Sequence, residues 1–148
     1  MDRIEYVYTF GMSDDEVDER LRSESAGVLS LADDGAAYGI PVSHYYDGDS
    51  LLFRLSDDDD DSRKLDVAEA TTEASFVLFD ADGPDLSWSV VVTGSLRRLS
   101  EEEQAAYDAT ELNERFGPLR VFDENVDEID LVLYEMEISS LLGRRTDE

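Results

Sequence analysis

The chain has 148 residues, of which 38 are acidic and 12 basic, giving a formal net charge of -26. No basic stripe exists, which argues against direct nucleic-acid binding, and the lack of cysteine removes disulfides, thiolate metal sites and cysteine nucleophiles. With 41% apolar and 9% aromatic residues the chain is too hydrophobic for a disordered acidic tail, so the charge coats one folded domain, 1–148.

Taken in chain order, Ser13-Asp14-Asp15-Glu16 reads as a capping box that opens a short helix to about Ser23, with Val17 and Leu21 on one face. Val28 to Leu31 reads as a strand. Asp34-Gly35 is a hairpin signal, and a second strand runs from Ala37 to Tyr46. Asp47-Gly48 turns the chain into a third strand, Leu51 to Leu55. The run Asp57 to Asp61 is a solvated loop. Ser62 is placed to cap a short helix that holds Leu65 and Ala68. Ala74 to Phe79 is a strand, and Asp82 to Asp85 a loop. Trp88 to Leu99 is a long strand with a bulge or bend expected at Gly94. Ser100-Glu101-Glu102-Glu103 is a second capping box, opening a helix with Ala106 and Tyr107 that ends near Phe116-Gly117-Pro118. Leu131 to Leu142 closes the chain, with Val132, Tyr134, Met136 and Ile138 alternating against Glu135 and Glu137.

The inventory is about six antiparallel strands and two or three short helices, a mainly β pattern with few crossovers. It predicts a barrel rather than a parallel sheet. Pro41 lies inside a good strand, so it must sit at an edge or bulge where backbone is available to something other than a neighbouring strand. No segment approaches the apolar length of a membrane span, and the N-terminus does not read as a signal peptide. The expectation is a cytoplasmic protein with no membrane partner.

The acids are spread over the whole chain, and every basic residue but Lys64 is arginine. Acid-rich, lysine-poor composition marks a protein solvated in molar salt, where the Debye length is about 3 Å. The cytosol of a halophile, an archaeon by expectation, is the expected setting; the rival reading is an acidic surface that binds cationic partners. Lys64 stands in Ser62-Arg63-Lys64, directly after the aspartate run. Two adjacent cations beside a hydroxyl suit a phosphate group. The same pair can instead offset the neighbouring aspartates.

Four segments now fall in one order: Tyr38 to Gly48 with Pro41-Val42-Ser43, Leu51-Leu52-Phe53, Ser62-Arg63-Lys64-Leu65, and Trp88-Ser89-Val90-Val91-Val92-Thr93-Gly94. The ordered set, with Tyr134 to Ile138 and Gly143-Arg144 as a closing strand, resembles the pyridoxamine 5′-phosphate oxidase-like family, the FMN-binding split barrels. The likeness covers about residues 13 to 144.

The resemblance implies a homodimer with FMN in a groove at its interface. Ser62, Arg63 and Lys64 would bind the phosphate. Pro41, Val42 and Ser43 would run along the isoalloxazine, and Phe53, Arg54 and Leu55 would flank the ribityl chain or ring. Ser89 occupies the place of a polar flavin contact that often comes from the second subunit. The substrate-phosphate residues of the true oxidases, including a C-terminal arginine-histidine arrangement, are missing, since no histidine follows His44. The implied activity is an FMN-dependent oxidoreductase acting on an unknown small molecule, and not vitamin B6 oxidation. The alternative is a module of the same fold that holds a flavin, deazaflavin or haem without turnover. No catalytic side chain and no metal ligand set is expected; His44 faces away from Ser43 by strand alternation.

Overall fold

The computed structural model describes residues 10–56, 64–83, 86–106 and 131–146. In chain order the elements are β1 (Phe10–Gly11), α1 (Asp14–Ser23), β2 (Ala26–Asp33), β3 (Ala36–Tyr46), β4 (Ser50–Ser56), α2 (Lys64–Ala70), β5 (Ala74–Gly83), β6 (Leu86–Arg98), α3 (Glu101–Ala105) and β7 (Leu131–Arg145). The strands run β7-β4-β3-β2-β5-β6, and β6 pairs back onto β7, so six antiparallel strands close a barrel. Closure removes the free edges that an open sheet would expose. β1 is a seventh strand that the sequence did not announce. It pairs only Phe10 with Arg145 and Gly11 with Arg144, too short a stretch to carry a periodicity.

Local chemistry sets the boundaries. Ser13 Oγ accepts from the Glu16 amide at 3.2 Å, and a Glu16 carboxylate oxygen accepts from the Ser13 amide at 3.3 Å. The expected capping box therefore opens α1, which has Asp14, Asp15 and Glu16 in its first turn and Arg20 and Arg22 in its last, as the helix dipole favours. Asp34 (φ 49°) and Gly35 (φ 81°) both adopt the left-handed conformation that a two-residue hairpin turn requires. At the next turn Asp47 Oδ1 accepts from the amides of Asp49 and Ser50, each at 2.8 Å. The second capping box, Ser100 with Glu103, opens α3; its expected continuation toward Pro118 lies outside the described residues.

The bend expected at Gly94 is a register shift between Thr93 and Gly94 in the β6–β7 ladder. A Cβ at Gly94 would stand 2.2 Å from the Glu137 carbonyl oxygen, so only glycine lets the strands approach there. Inside the barrel, Leu29, Leu51, Phe53, Phe76, Val90, Val92, Tyr134 and Met136 are all at or near zero exposure. Val17 and Leu21 of α1 join this core from one side, and Val67 and Ala68 of α2 from another. Thr71 fixes the end of α2. Its hydroxyl lies 2.6 Å from the Val67 carbonyl oxygen and accepts from the Ala32 amide at 3.2 Å. Among the described residues no helix is long and apolar enough to cross a membrane.

Candidate functional site

The barrel is closed but its strands do not stay together. β3 and β4 pair from Tyr46–Leu51 to Ser43–Arg54, and there the ladder ends. β3 continues back to Ala36 on β2, while β4 continues to Ser56 on β7. Pro41 lies two residues beyond the last pair, in the stretch of β3 that β4 has left. That is where a residue without an amide proton is tolerated, and it matches the edge position expected from the sequence.

Strand alternation then sorts the predicted site residues. Pro41, Ser43 and Arg54 point outward, and Ser43 and Arg54 are directly paired across the two strands. Ser43 is nonetheless buried at 4% exposure. Arg54 is half-buried, and burial lowers the pKa of its guanidinium. A partly desolvated cation of this kind gains from an anionic neighbour. Val42, Phe53 and Leu55 alternate with these residues and point inward, into the hydrophobic core, at 3%, 0% and 2% exposure. Only their backbones border the place where β3 and β4 part. Ser62 and Arg63 lie outside the described residues. Lys64 is the first residue of α2.

Ser89 points outward too, but from β6. It pairs with Phe79 on β5 and with Arg144 on β7. Pro41 connects to β6 through Val28, Val77 and Val91. Three inter-strand steps of about 4.8 Å separate the two places, roughly 14 Å along the sheet. One chain therefore brings Pro41, Ser43 and Arg54 together, and holds Ser89 apart from them.

Between these places the outer surface is unusual for so acidic a chain. Pro41, Val28, Val77, Val91 and Leu142 form one row across five strands. Gly39, Ser30, Ser75, Thr93 and Ser140 form the next. Neither row carries a charge, although 34% of the chain is charged. Phe79 and Leu142 are 66% and 59% exposed. The sequence reading missed this face. Its signal was present in Phe76-Val77-Leu78-Phe79 and Val90-Val91-Val92, unbroken apolar runs that mark strands covered on both sides.

The family model for pyridoxamine 5′-phosphate oxidase matches residues 13–145. The chain belongs to that family. Its split barrel is the fold of solved relatives at low identity. An FAD-binding protein from Mesorhizobium loti superposes with a TM-score of 0.71 at 19% identity, covering 94% of this chain and 99% of that one. The FAD-binding protein from Mycobacterium smegmatis gives 0.66 at 18%, with 94% and 99% covered. HutZ, the heme storage protein from Vibrio cholerae, gives 0.66 at 13%, with 88% and 94% covered. No curated protein matches the chain.

Among the described residues, His44, Tyr134 and Trp88 pack against or into the core. His44 is 2% exposed and its Nε2 lies 2.9 Å from the Leu21 carbonyl oxygen. Burial lowers its pKa, and the Leu21 bond offsets only part of that. The chain's one imidazole thus faces the core, on the opposite side of β3 from Ser43, as alternation predicted. Tyr134 is buried at 1% exposure with its hydroxyl 3.4 Å from Glu69; burial, and then the Glu69 charge, push its pKa up to about 12. Trp88 packs partly buried against the core, with the Arg20 guanidinium 4.3 Å above its ring.

Proposed function

We propose that this protein is a homodimeric flavin-binding member of the family, with FMN as the cofactor, acting as an oxidoreductase on a small molecule other than a vitamin B6 phosphate. The reading rests first on one juxtaposition: outward Pro41, Ser43 and half-buried Arg54 gather where β3 and β4 part, and Ser62-Arg63-Lys64 follows β4 in the sequence. The relatives described as FAD-binding proteins support it.

The residues present fit such a group. Arg63 and Lys64 supply two positive charges for a phosphate, and their strength lies in charge, since α2 has only seven residues to lend a dipole. Pro41 and the backbone beside it offer a strand edge to a polar ring margin. Ser43 adds a hydroxyl, and Arg54 a cation already partly stripped of water. The walls of Val28, Val77 and Val91 are apolar. When bound, a flavin supplies hydride and electron transfer at its N5, so the protein needs only to bind, orient and exclude water.

The separation of Ser89 from Pro41 and Ser43 supports a dimer, if Ser89 meets the flavin as the resemblance implies. A second copy laid on the uncharged rows would bring its own Ser89 toward the first copy's Pro41. It would also cover Phe79 and Leu142 and keep the acidic surfaces apart. We place the protein in the salt-rich cytosol of a halophile, where the aspartates at 57–61 are screened from the cofactor phosphate.

A haem reading is weaker on a specific observation. His44 is the chain's one histidine and is held in the core, so it cannot serve as an axial ligand in this fold. The deciding experiment is an absorption spectrum of protein purified in molar salt, before and after FMN. Flavin bands that comigrate with a dimer, and that the double change Arg63→Ala with Lys64→Ala removes, are the expected result. A protein that stays colourless with FMN at high salt would overturn the reading.

A further inference from the structure

We propose that His44 is an acid-sensitive pin: its neutral form holds the last turn of α1 on the barrel, and its protonation releases that helix. The inference concerns the seat of α1 and does not depend on a flavin being bound.

Two bonds from one residue make the pin. The His44 amide donates to the Ser25 carbonyl oxygen at 3.1 Å, just after α1. The ring lies 2.9 Å from the Leu21 carbonyl oxygen within its last turn. A carbonyl can only accept, so Nε2 carries the proton, and Nδ1 is left bare in the neutral ring. Nδ1 is fully buried and has no hydrogen-bond partner among the described residues. A second proton would add charge and a new N–H at that atom, facing carbon. The ring stands edge-on to Phe76 with centroids 4.9 Å apart, and its register partner on β4 is Phe53. Burying an unpaired charge there is costly, and moving the ring toward water relieves it.

The charged groups around α1 do not compensate. Asp18 pairs with Arg22 at 2.8 Å, Glu16 pairs with Arg145 at 2.8 Å, and Arg20 lies over Trp88. Asp14, Asp15 and Glu19 are exposed, and Glu24, past the C-terminal end of the helix, is half-buried. β4 and β5 present Phe53 and Phe76 to the ring, and on β3 the Tyr46 hydroxyl donates to the Gly48 carbonyl oxygen. The shift of His44 has burial as its largest cause, opposed by the Leu21 bond, with no charged neighbour contributing. The sign follows. The unfolded chain takes up the proton near 6.5 and the folded chain only at lower pH. The pin is therefore whole above 6.5, weakens as pH falls below it, and is gone below the depressed value.

The chain carries its own two reporters, a single histidine and a single tryptophan that lies under Arg20 of the same helix. The experiment uses the untagged full chain in molar salt and follows the imidazole by nitrogen-15 NMR and Trp88 by fluorescence as pH falls. The expected result is a proton on Nε2 at neutral pH, a midpoint below 6.5, and a Trp88 change at that same midpoint while the far-UV signal of the barrel persists. His44→Gln, which keeps an amide donor but cannot charge, should lose this phase; Glu16→Gln should keep it. An imidazole that titrates near 6.5 with Trp88 unmoved would overturn the proposal. So would a Trp88 phase that survives unchanged in His44→Gln, or a far-UV loss at the same midpoint, because the event would then be carboxylate titration or global unfolding. The NMR measurement on the unaltered chain stands even if the glutamine variant does not fold.

Discussion

The two halves of the barrel's outer surface are built from the same strands and carry opposite chemistry. Near the start of β7 the outward Leu133 is covered in a small apolar cluster with Leu52 and Leu99, outward Glu135 and Glu137 follow it, and Arg97 bridges Glu103 and Glu135 at 2.8 and 3.2 Å. Past the Gly94 bulge the same two strands present Val91, Thr93, Ser140 and Leu142. The first part is charged and clamped; the second presents apolar and hydroxyl-bearing residues with large side chains exposed, up to Arg144 opposite Ser89. In a chain of net charge -26, two adjacent uncharged rows with large apolar side chains beside them are the part of the surface that the proposed second copy would cover. The contrast separates two kinds of apolar residue that composition counts alike, those buried in the barrel and those that stand exposed on its outer face.

The largest expected effect distinguishes these two kinds directly. Phe76→Ala, at 0% exposure, should cost about 3–5 kcal/mol of stability, read by denaturant unfolding in molar salt. Phe79→Ala, three residues on and 66% exposed, should leave the unfolding free energy of the monomer within about 0.5 kcal/mol. Equal losses at the two positions would erase the distinction between the faces.

Gly94→Ala tests the boundary between the halves. Its Cβ would overlap the Glu137 carbonyl, so the strands must part, at a cost of about 1–3 kcal/mol. A neutral result would mean that the bulge does not set the approach of β6 to β7.

Val91→Asp places an acid in the middle of the uncharged rows. The expected outcome is a monomer by light scattering with unchanged far-UV circular dichroism. A dimer that persists would move the proposed contact elsewhere on the surface.

The smallest effects lie on the charged half. Ser100→Ala removes the N-cap of α3 and should cost about 1 kcal/mol. Arg97 holds Glu103 well below its ordinary 4.5, at about 2. A depressed carboxylate stabilises above its unfolded value and loses that contribution as pH falls from about 4.5 toward 2. Both groups are exposed, so the effect should be slight and shrink further in molar salt. Comparing acid unfolding of Glu103→Gln with that of the parent at two salt concentrations checks the sign.

Much of this was legible beforehand. Both capping boxes, the Asp34-Gly35 turn, the Gly94 bend and the inward alternation of Val132, Tyr134 and Met136 are local signals, and each appears where expected. The strand ends were less legible, because pairing with a neighbour decides how far a strand runs: β5 reaches Gly83 and β7 reaches Arg145. The candidate site was legible as segments but not as side chains. Pro41 and Ser43 share a face while Val42, between them, belongs to the core, and the same rule removes Phe53 and Leu55 from the surface while leaving Arg54 on it.

Periodicity, capping and turn chemistry act over a few residues, and they suffice for a folded, acid-coated, mainly β domain with two capped helices. The barrel was expected, but its closure by β6 on β7, the parting of β3 and β4 beside Ser43 and Arg54, and the alignment of Val28, Val77, Val91 and Leu142 emerge only in the assembled fold. Those facts depend on register between strands far apart in the chain, and register is fixed by which faces can be buried together.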